Sequence, residues 1–342
     1  MRNDTRLQYT QFVTQLARLN SVPSAEQSFT VAPGIQQTLE SRIQQSSEFL
    51  SRINVIGVPE MAGEKIGLGV TGTIAGRTKT GPGKPRVARS VADLDSHKYQ
   101  CAKTNFDTAI PYPQLDVWAK FPDFQTRLRD AILKQQALDR IMIGFNGTSV
   151  AEDTDRATNT LLQDVNKGWL QQYREHAAER VMSEVASGSG KVKIGAGVAA
   201  TDGYKNLDAL VFDAVNNLID EAFAEHPDLV VIVGRSLLAD KYFPIINKDN
   251  PPTEQLAADM VISQKRIGNL PAVRAPFMKA GSMLVTPLSN LSIYWQEGGR
   301  RRHVREEPDY DRIANYESSN DAYVVERYEA GCLIENIELV PA

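Results

Sequence analysis

Residues 63–86, GEKIGLGVTGTIAGRTKTGPGKPR, decide whether the chain has a dinucleotide-binding fold or a fold of another class. Gly67, Gly69 and Gly72 have the G-x-G-x-x-G spacing of a dinucleotide-binding loop, which needs a buried strand before the first glycine and a helix beginning near the third. The third glycine is instead followed by three more glycines and two prolines, which cannot begin a helix of useful length. We therefore interpret the stretch as an extended loop or β-hairpin with a glycine-rich tip, and keep a nucleotide-dependent enzyme using residues 67–72 as the alternative.

The same segment is basic. Between residues 77 and 103, seven lysines and arginines face two aspartates. Such a segment is too polar to build a core of its own, and a loop of roughly 50 residues inside a compact domain usually binds a partner. Two interpretations stay open: an arm that lies on another molecule, and a solvated loop.

The composition is that of a globular protein, with 342 residues, 42% hydrophobic, 23% charged and a net charge of −4. The acidic balance disfavours a free-standing nucleic-acid-binding protein. We find no apolar run near the ~20 residues that span a bilayer, and no signal peptide. The two cysteines, Cys101 and Cys332, are too far apart for a redox pair or a zinc site and fit a reducing cytoplasm.

The first 28 residues form a separable unit. Leu7, Phe12, Leu16 and Leu19 recur at near-helical spacing and predict a short amphipathic helix, which a small, polar linker follows. This unit is either a removable or partner-contacting arm, or a helix docked on the body.

The strongest helix is predicted over residues 122–143, within PDFQTRLRDAILKQQALDRIMIGFNG. Pro122 and Asp123 suit its first turn, and Gly144 and Gly147 suit its end. About 21 residues span about 30 Å, so this helix is a strut across a domain. We assign its apolar stripe to the core: Phe124, Leu128, Ala131, Ile132, Gln135, Leu138 and Met142.

Other segments have weaker patterns. Residues 35–53 predict an amphipathic helix, residues 106–121 a strand limited by prolines to an edge or turn, and a stretch from Leu161 a further helix. Residues 187–203 read as a flexible connection and domain boundary. Residues 228–234, DLVVIVG, predict a short buried strand in a part that mixes helices and strands without a steady βαβ rhythm. The pattern therefore favours an α+β fold.

The sequence offers no set of residues for catalysis. Its four histidines lie in four separate segments, which leaves a metal site unsupported, and no nucleophile elbow is present. The acidic stretch at Asp153 and Asp155 lacks the glycine and glutamate of an EF-hand loop. We therefore predict no catalytic residue, no metal and no cofactor.

A dense charge region follows residue 299. Five arginines (300, 301, 302, 305 and 312) face six acids between residues 306 and 321. One interpretation is a solvated hairpin whose internal ion pairs are worth little. The other is an interface that pairs opposite charges between copies of the chain and fixes their register. The candidate inter-subunit cluster is Arg300, Arg301, Arg302, Arg305, Glu306 and Glu307.

On six long segments the chain resembles the major capsid protein precursors of P2-like tailed bacteriophages, nearly from end to end. These segments are FTVAPGIQQTLESRIQQSSEFLSRINV (29–55), GEKIGLGVTGTIAG (63–76), KFPDFQTRLRDAILKQQALDRIMIGFNG (120–147), DLVVIVGRSLLADKYFPIIN (228–247), AADMVISQKRIGNLPAVRAPF (257–277) and NYESSNDAYVVERYEAGCLIEN (315–336).

The resemblance implies the HK97-type capsid fold and names its parts. It implies a removable N-terminal segment with scaffold contact (1–30), an N-arm (31–58), an extended E-loop hairpin (59–105), a P domain with a spine helix (106–203), an A domain (204–305) and C-terminal strands returning to both domains (306–342). The resemblance places the processing site near Ser28, Phe29, Thr30 and Val31, and makes this chain the precursor form. It assigns an inter-subunit arm to Gly72, Gly76, Arg77, Lys79, Lys84, Arg86 and Arg89.

The resemblance also implies a function: a structural subunit, not an enzyme, that assembles with scaffold help into an icosahedral shell of pentamers and hexamers around phage double-stranded DNA. The implied partners are other copies of the chain, a scaffolding and protease protein, the portal protein, potential decoration proteins, and packaged DNA bound without sequence specificity. No membrane is implied. The implied location is the virion, with assembly in the cytoplasm of the bacterial host, and we assign no covalent cross-link.

Overall fold

The computed structural model describes residues 1–64, 67–70, 77, 79, 92–95, 98–118, 124–246 and 265–340. Over these residues the helices are α1 (Asn3–Leu19), α2 (Pro33–Gln45), α3 (Tyr112–Trp118), α4 (Phe124–Asn146), α5 (Trp169–His176), α6 (Leu207–Leu218), α7 (Glu221–Ala224) and α8 (Arg235–Ile246). The strands are β1 (Phe29–Thr30), β2 (Asn54–Val58), β3 (Ala62–Glu64), β4 (Gly67–Val70), β5 (Ala92–Asp95), β6 (Lys98–Gln100), β7 (Ala102–Asn105), β8 (Thr108–Pro111), β9 (Val181–Met182), β10 (Val192–Ile194), β11 (Gly203–Tyr204), β12 (Leu229–Val233), β13 (Arg266–Ile267), β14 (Leu270–Arg274), β15 (Met283–Pro287), β16 (Leu291–Gln296), β17 (Arg301–Glu307), β18 (Arg312–Val325), β19 (Cys332–Ile334) and β20 (Ile337–Leu339).

The predicted strut is α4, a helix of 23 residues and thus about 34 Å long. Gly147 follows its last residue. Only glycine fits there, because a Cβ at that position would lie 2.0 Å from the carbonyl oxygen of Asn166. Gly144 does not end the helix as predicted but lies inside it. The ring of Trp169 packs there so closely that a Cβ on Gly144 would lie 2.2 Å from it. The predicted first-turn residues 122 and 123 lie outside the described residues.

The buried face of α4 differs from the predicted stripe. Leu133, Ala137 and Ile141 are buried, and so are the polar Gln136 and Arg140 between them. The predicted stripe is rotated away from this face: Leu128, Ile132, Leu138 and Met142 are only half-buried, and Ala131 and Gln135 are exposed. The prediction was wrong because the buried face carries Gln136 and Arg140, which an apolar repeat does not pick out, whereas Gln135, the polar residue that the stripe did include, is exposed.

The largest sheet has seven strands, in the order β1-β17-β18-β16-β2, with β7 and β8 also pairing with the 14-residue strand β18. Helices α2, α4 and α5 contribute side chains to the core that includes this sheet. Its centre is an aromatic group in which the ring centroid of Trp169 lies 5.3 Å from that of Phe145 and 5.5 Å from that of Tyr323. The spine helix and the long sheet thus form one packed unit.

A second sheet of six strands has the order β13-β14-β12-β15-β19-β9. Its central strand β12 is buried along its whole length, which confirms the predicted buried strand. Val230 and Ile232 belong to the core beside α4 and α5, whereas Leu229, Val231 and Val233 belong to a second core with α6 and α8. Successive side chains of a strand point to opposite faces, so this sheet is a layer shared by two cores.

The glycine-rich segment begins and ends as an antiparallel hairpin. Strand β3 pairs with β6, and β4 pairs with β5 in a register that places Gly67 opposite Asp95 and Gly69 opposite Asp93. Two of the three fingerprint glycines therefore lie inside a β-ladder instead of closing a strand at a phosphate-binding turn. This confirms the hairpin prediction. Gly72 lies outside the described residues.

Three sequence predictions have different bounds in the structure. The helix expected over residues 35–53 ends at Gln45, and a 3₁₀ turn at Leu50–Arg52 follows. The segment expected to be an edge strand continues from β8 into α3, with Pro113 tolerated in the first turn. The helix expected from Leu161 begins only at Trp169, because at Gly168 the chain runs against α4, where a Cβ would lie 2.3 Å from the carbonyl oxygen of Ile143.

Candidate assembly surfaces

The base of the hairpin arm is fixed to the large sheet. The ring of Tyr99 packs edge-on against that of Tyr294, with centroids 5.2 Å apart, and the adjacent Cys101 is buried. Arg77 and Lys79 are exposed. The other predicted arm residues lie outside the described residues: Gly72, Gly76, Lys84, Arg86 and Arg89. The arm is thus anchored at its root, and its inter-subunit contact stays a prediction.

The N-terminal helix is docked on the body, which was one of the two alternatives. Val13, Leu16 and Ala17 are buried against Val31 and residues of α3, β17 and β18. In contrast, Leu7 and Leu19 of the predicted stripe are 63% and 59% exposed. The buried stripe therefore shares Leu16 with the predicted one but continues through Val13 and Ala17 instead of Leu7 and Leu19.

An exposed ion pair adds to this docking. The guanidinium of Arg6 donates two hydrogen bonds to Glu306, at 3.1 and 2.8 Å, and the hydroxyl of Tyr112 donates a third at 2.9 Å. Arg6 and this hydroxyl hold the pKa of Glu306 below its usual value, although burial partly opposes them. Glu306 is thus engaged within the subunit.

The predicted processing region lies in and beside an edge strand. Phe29 and Thr30 form β1, which pairs antiparallel with Arg302 and Arg301, and the amide of Val31 donates to the carbonyl of Arg300 at 2.9 Å. Phe29 and Val31 are 7% and 2% exposed, while Ser28 and Thr30 are exposed. Proteolysis needs backbone that is not tied into a folded sheet. A cut in this region therefore requires β1 to leave the sheet.

The inter-subunit interpretation of Arg300 is corrected by the structure. Arg300 is 1% exposed, and its guanidinium donates to Glu317 at 2.7 Å, Glu40 at 2.6 Å and Gln136 at 2.9 Å. Its charge is satisfied by three groups of its own chain. Arg300 consequently has no surface to offer to another copy.

Other members of that cluster are divided between the interior and the surface. The side chain of Arg302 donates from Nε to Asn315 at 2.7 Å, and Glu307 accepts from Arg312 at 2.7 Å. Arg301 and Arg305 are exposed. Alternation along β17 separates Arg302 from Arg301 and Arg305, because successive side chains of a strand point to opposite faces. Contact of Arg301 and Arg305 with another subunit stays a prediction.

The buried ions form a network that the sequence analysis missed. Arg140 of α4 binds Glu40 of α2 and Asp321 of β18, and Arg300 joins Glu40 to Glu317. Burial alone would raise the pKa of Glu40, but the two arginines hold it below its usual value. Burial raises the pKa of Asp321, and Arg140 opposes this only in part. The network ties α2, the spine helix and the large sheet together.

A sequence signal for this network does exist. Arg140 sits between apolar residues on the buried face of α4, and Asp321 directly precedes the apolar end of β18, residues 322–325. Buried charges are rare unless they are paired, so each one predicts a partner. The identity of that partner could not be read from the sequence, because Glu40 and Arg140 are 100 residues apart.

Comparison with known proteins assigns the family. A family profile described as phage major capsid protein, P2 family, matches residues 8–337. The chain belongs to this family. It is 52% identical to the capsid protein of Escherichia phage P2, over 99% of this chain and 96% of the relative, and 43% identical to the major capsid protein of Serratia phage KSP20, over 98% and 97%.

Solved structures agree with the family assignment. A chain of the satellite phage P4 procapsid, in a structure that includes the size determination (Sid) protein, is similar over 99% of both chains, with a TM-score of 0.83 and 50% identity. A capsid chain of an empty GTA particle covers 86% of this chain, with a TM-score of 0.50 and 13% identity, and shows the fold alone. The predicted α+β capsid fold of the HK97 type is confirmed.

As a member of the P2 capsid family, the chain is a phage major capsid protein that forms capsid shells and is a component of the virion. Its relatives are structural proteins, and nothing supports the nucleotide-dependent enzyme. Within the described part of the chain, no cluster of three or more His, Cys, Asp or Glu could hold a metal ion. In the same part, no helix combines the length and apolar character needed to cross a membrane.

Proposed function

We propose that this major capsid protein is assembled as a precursor and that its first 30 residues act only before maturation. One observation carries the proposal: this segment reaches the large sheet through the two-residue edge strand β1. An edge strand pairs on one side only, so its loss leaves the pairing of β17, β18, β16 and β2 intact. A phage protease would cut between Ser28 and Val31 once β1 has left the sheet.

The named parts of the capsid fold are proposed with revised bounds. The pairing of β16 and β17 with β18 supports ending the A domain near Asn290 instead of residue 305. The pairing of β9 and β10 with C-terminal strands supports beginning it near Val181 instead of residue 204. The N-arm (31–58), the E-loop (59–105) and a P domain built around α4 keep their predicted bounds elsewhere.

The arm is proposed to bind a neighbouring subunit. Its antiparallel root and its net positive charge support this, because a polar hairpin gains stability only against another surface. The further proposed partners are a scaffolding and protease protein, the portal protein, decoration proteins and packaged double-stranded DNA. Assembly into pentamers and hexamers would take place in the cytoplasm of the bacterial host.

Co-expression of the full chain with its scaffolding protein tests the assembly steps, with sedimentation and electron microscopy as readouts. Deleting residues 76–98 is expected to leave a folded subunit that makes no closed shell. A cleavage-resistant substitution at Phe29 is expected to leave closed but immature shells. Normal particles from the deletion would contradict the arm assignment, and stable DNA-filled heads with an intact N-terminus would contradict the removal step.

A further inference from the structure

The docked N-terminal helix leaves a groove, named here the α1 groove, between α1, α2 and α4. It encloses a cavity of about 550 Å³, which is within the usual range of ligand-binding sites. Leu19, 59% exposed, lies at its edge, so the groove opens to solvent. Its walls are mainly apolar, with Phe12, Leu16, Ile35, Leu39, Leu128 and Ile132 among the lining side chains.

The charged side chains that line the α1 groove, within the described residues, are all arginines: Arg42, Arg129 and Arg302. Arg129 also pairs with the adjacent Asp130, which does not line the groove. Arg302 is half-buried, and toward the described residues its side chain donates one hydrogen bond, from Nε to Asn315. Burial lowers the pKa of Arg302, which indicates that its charge is poorly solvated.

One polar atom of the groove lacks a partner. The hydroxyl of Tyr9, a groove residue, is buried without a hydrogen bond within the described residues. Buried polar atoms are normally paired, and an unpaired one is costly. A hydroxyl and a guanidinium both donate, so carboxylates of a bound partner would accept from Tyr9 and from Arg302.

We infer that the α1 groove binds an acidic amphipathic helix of a partner protein. The walls supplied by α1, α2 and α4 are helices whose backbone groups are already paired along their length, so an extended strand would find no free edge there. A helix satisfies its own backbone and inserts apolar side chains spaced three and four residues apart. Carboxylates flanking those side chains would meet the three arginines.

The charge of the groove argues against a second copy of this chain as the occupant. The segment that projects from each subunit carries seven basic and two acidic residues between residues 77 and 103. Three arginines would repel it. An acidic helix meets no such repulsion.

Cleavage would destroy the site, a point that rests on the function proposed above. Tyr9, Phe12, Leu16 and Leu19 all lie in α1 and form one wall. A chain cut near Phe29 loses this wall and the Tyr9 donor. The partner helix would then be held by the precursor and released on processing.

Fluorescence anisotropy with a labelled synthetic peptide tests the inference on the full chain. The peptide has leucines at i, i+3, i+4 and i+7 with glutamates beside them, and the matched peptide has lysines in place of the glutamates. The acidic peptide is expected to bind at least about tenfold more tightly than the basic one, and less tightly as salt is raised.

Matched variants locate the binding. Arg302→Gln is expected to weaken it by about tenfold, whereas Arg301→Gln, exposed on the same strand, leaves it unchanged. Ile132→Trp fills the cavity and is expected to abolish binding. Phe12→Ala weakens it, whereas Leu7→Ala, at an exposed site of the same helix, does not. Circular dichroism melting shows whether each variant folds.

Several results would overturn the inference. Equal binding of the two peptides, or equal effects of Arg302→Gln and Arg301→Gln in folded variants, would exclude recognition of acid by the groove. Binding of decanoate but not of the acidic peptide would assign the cavity to a small amphiphile. None of these outcomes bears on whether shells form or the N-terminus is removed, which the assembly experiment measures separately.

Discussion

Replacing Arg140 with methionine is expected to lower the free energy of unfolding by about 3–5 kcal/mol at neutral pH. Arg140 is 1% exposed and binds two carboxylates, with Nε 3.0 Å from Asp321 and both Nη atoms on Glu40. Its removal leaves two buried carboxylates, Glu40 and Asp321, without the arginine that pairs with both. Arg300 still binds Glu40, and Ser319 still donates to Asp321, so the cost is that of one broken network and not of two isolated ions.

The loss of unfolding free energy in Arg140→Met should depend on pH, and the direction of this dependence follows from the pKa of Glu40. In the native chain the arginines hold this pKa below its usual value, so Glu40 stabilises the fold above its unfolded pKa, and this stabilisation fades as pH falls through the folded value. In Arg140→Met the folded pKa values of Glu40 and Asp321 rise instead. The variant is therefore penalised most near neutral pH, and the gap to the native chain should narrow as the pH falls from about 7 to about 4.

Urea unfolding of the unassembled subunit, followed by tryptophan fluorescence to which the buried Trp169 and Trp295 contribute, measures both effects. Arg129→Met is the matched control, since Arg129 lies on the same helix, is 42% exposed and pairs with the adjacent Asp130. It should change stability by less than about 1 kcal/mol. The double variant Glu40→Gln, Arg140→Met should recover part of the loss. A cost below about 1 kcal/mol for Arg140→Met, or a gap that does not change with pH, would refute the reasoning.

Three further expectations address other contacts. Gly144→Ala should destabilise the subunit by about 2 kcal/mol or more in urea unfolding, because its Cβ meets the Trp169 ring, whereas Gly34→Ala meets nothing within 4 Å and should be neutral. Leu16→Ala should speed chymotrypsin cleavage after Phe29 about tenfold or more by loosening α1, whereas Leu7→Ala should not; equal rates would argue against local opening. Glu306 has a lowered pKa, so its bond to Arg6 weakens as pH falls; relative to the protease's rate on an unstructured peptide at the same pH, cleavage should then accelerate in acid in the native chain but not in Glu306→Gln.

The sequence predicted those elements whose local pattern and packing agree. The buried strand β12 and the hairpin of the glycine-rich segment were found because a short aliphatic run and a set of helix-breaking residues each favour one structure. The apolar stripe of α4 was misplaced because Gln136 and Arg140 occupy its buried face, and a hydrophobic pattern counts such residues as exposed. The start of α5 was missed because the close approach of Gly168 to Ile143, distant in sequence, decides it.

Long-range contacts also determine which side chains of the candidate cluster at residues 300–307 are buried. A run of arginines next to acids cannot reveal which side chains point inward, because that depends on the register of β17 against β18. Arg300 is buried by partners from α2 and α4, while Arg301, one residue later, is exposed. Sequence reasoning could therefore find the charges but not divide them between the interior and the surface.

The position of the ion network explains how the N-terminal segment could leave without harm to the rest of the subunit. Its members, Glu40, Gln136, Arg140, Arg300, Glu317 and Asp321, all lie outside residues 1–30. Loss of β1 removes its pairing with Arg301 and Arg302 but none of the side-chain bonds that hold Arg300. The charges that are most costly to unpair thus stay paired both before and after the proposed cut. The surface that the loss of α1 would expose is mainly apolar. A cut subunit would therefore keep its core and expose a surface available for new contacts.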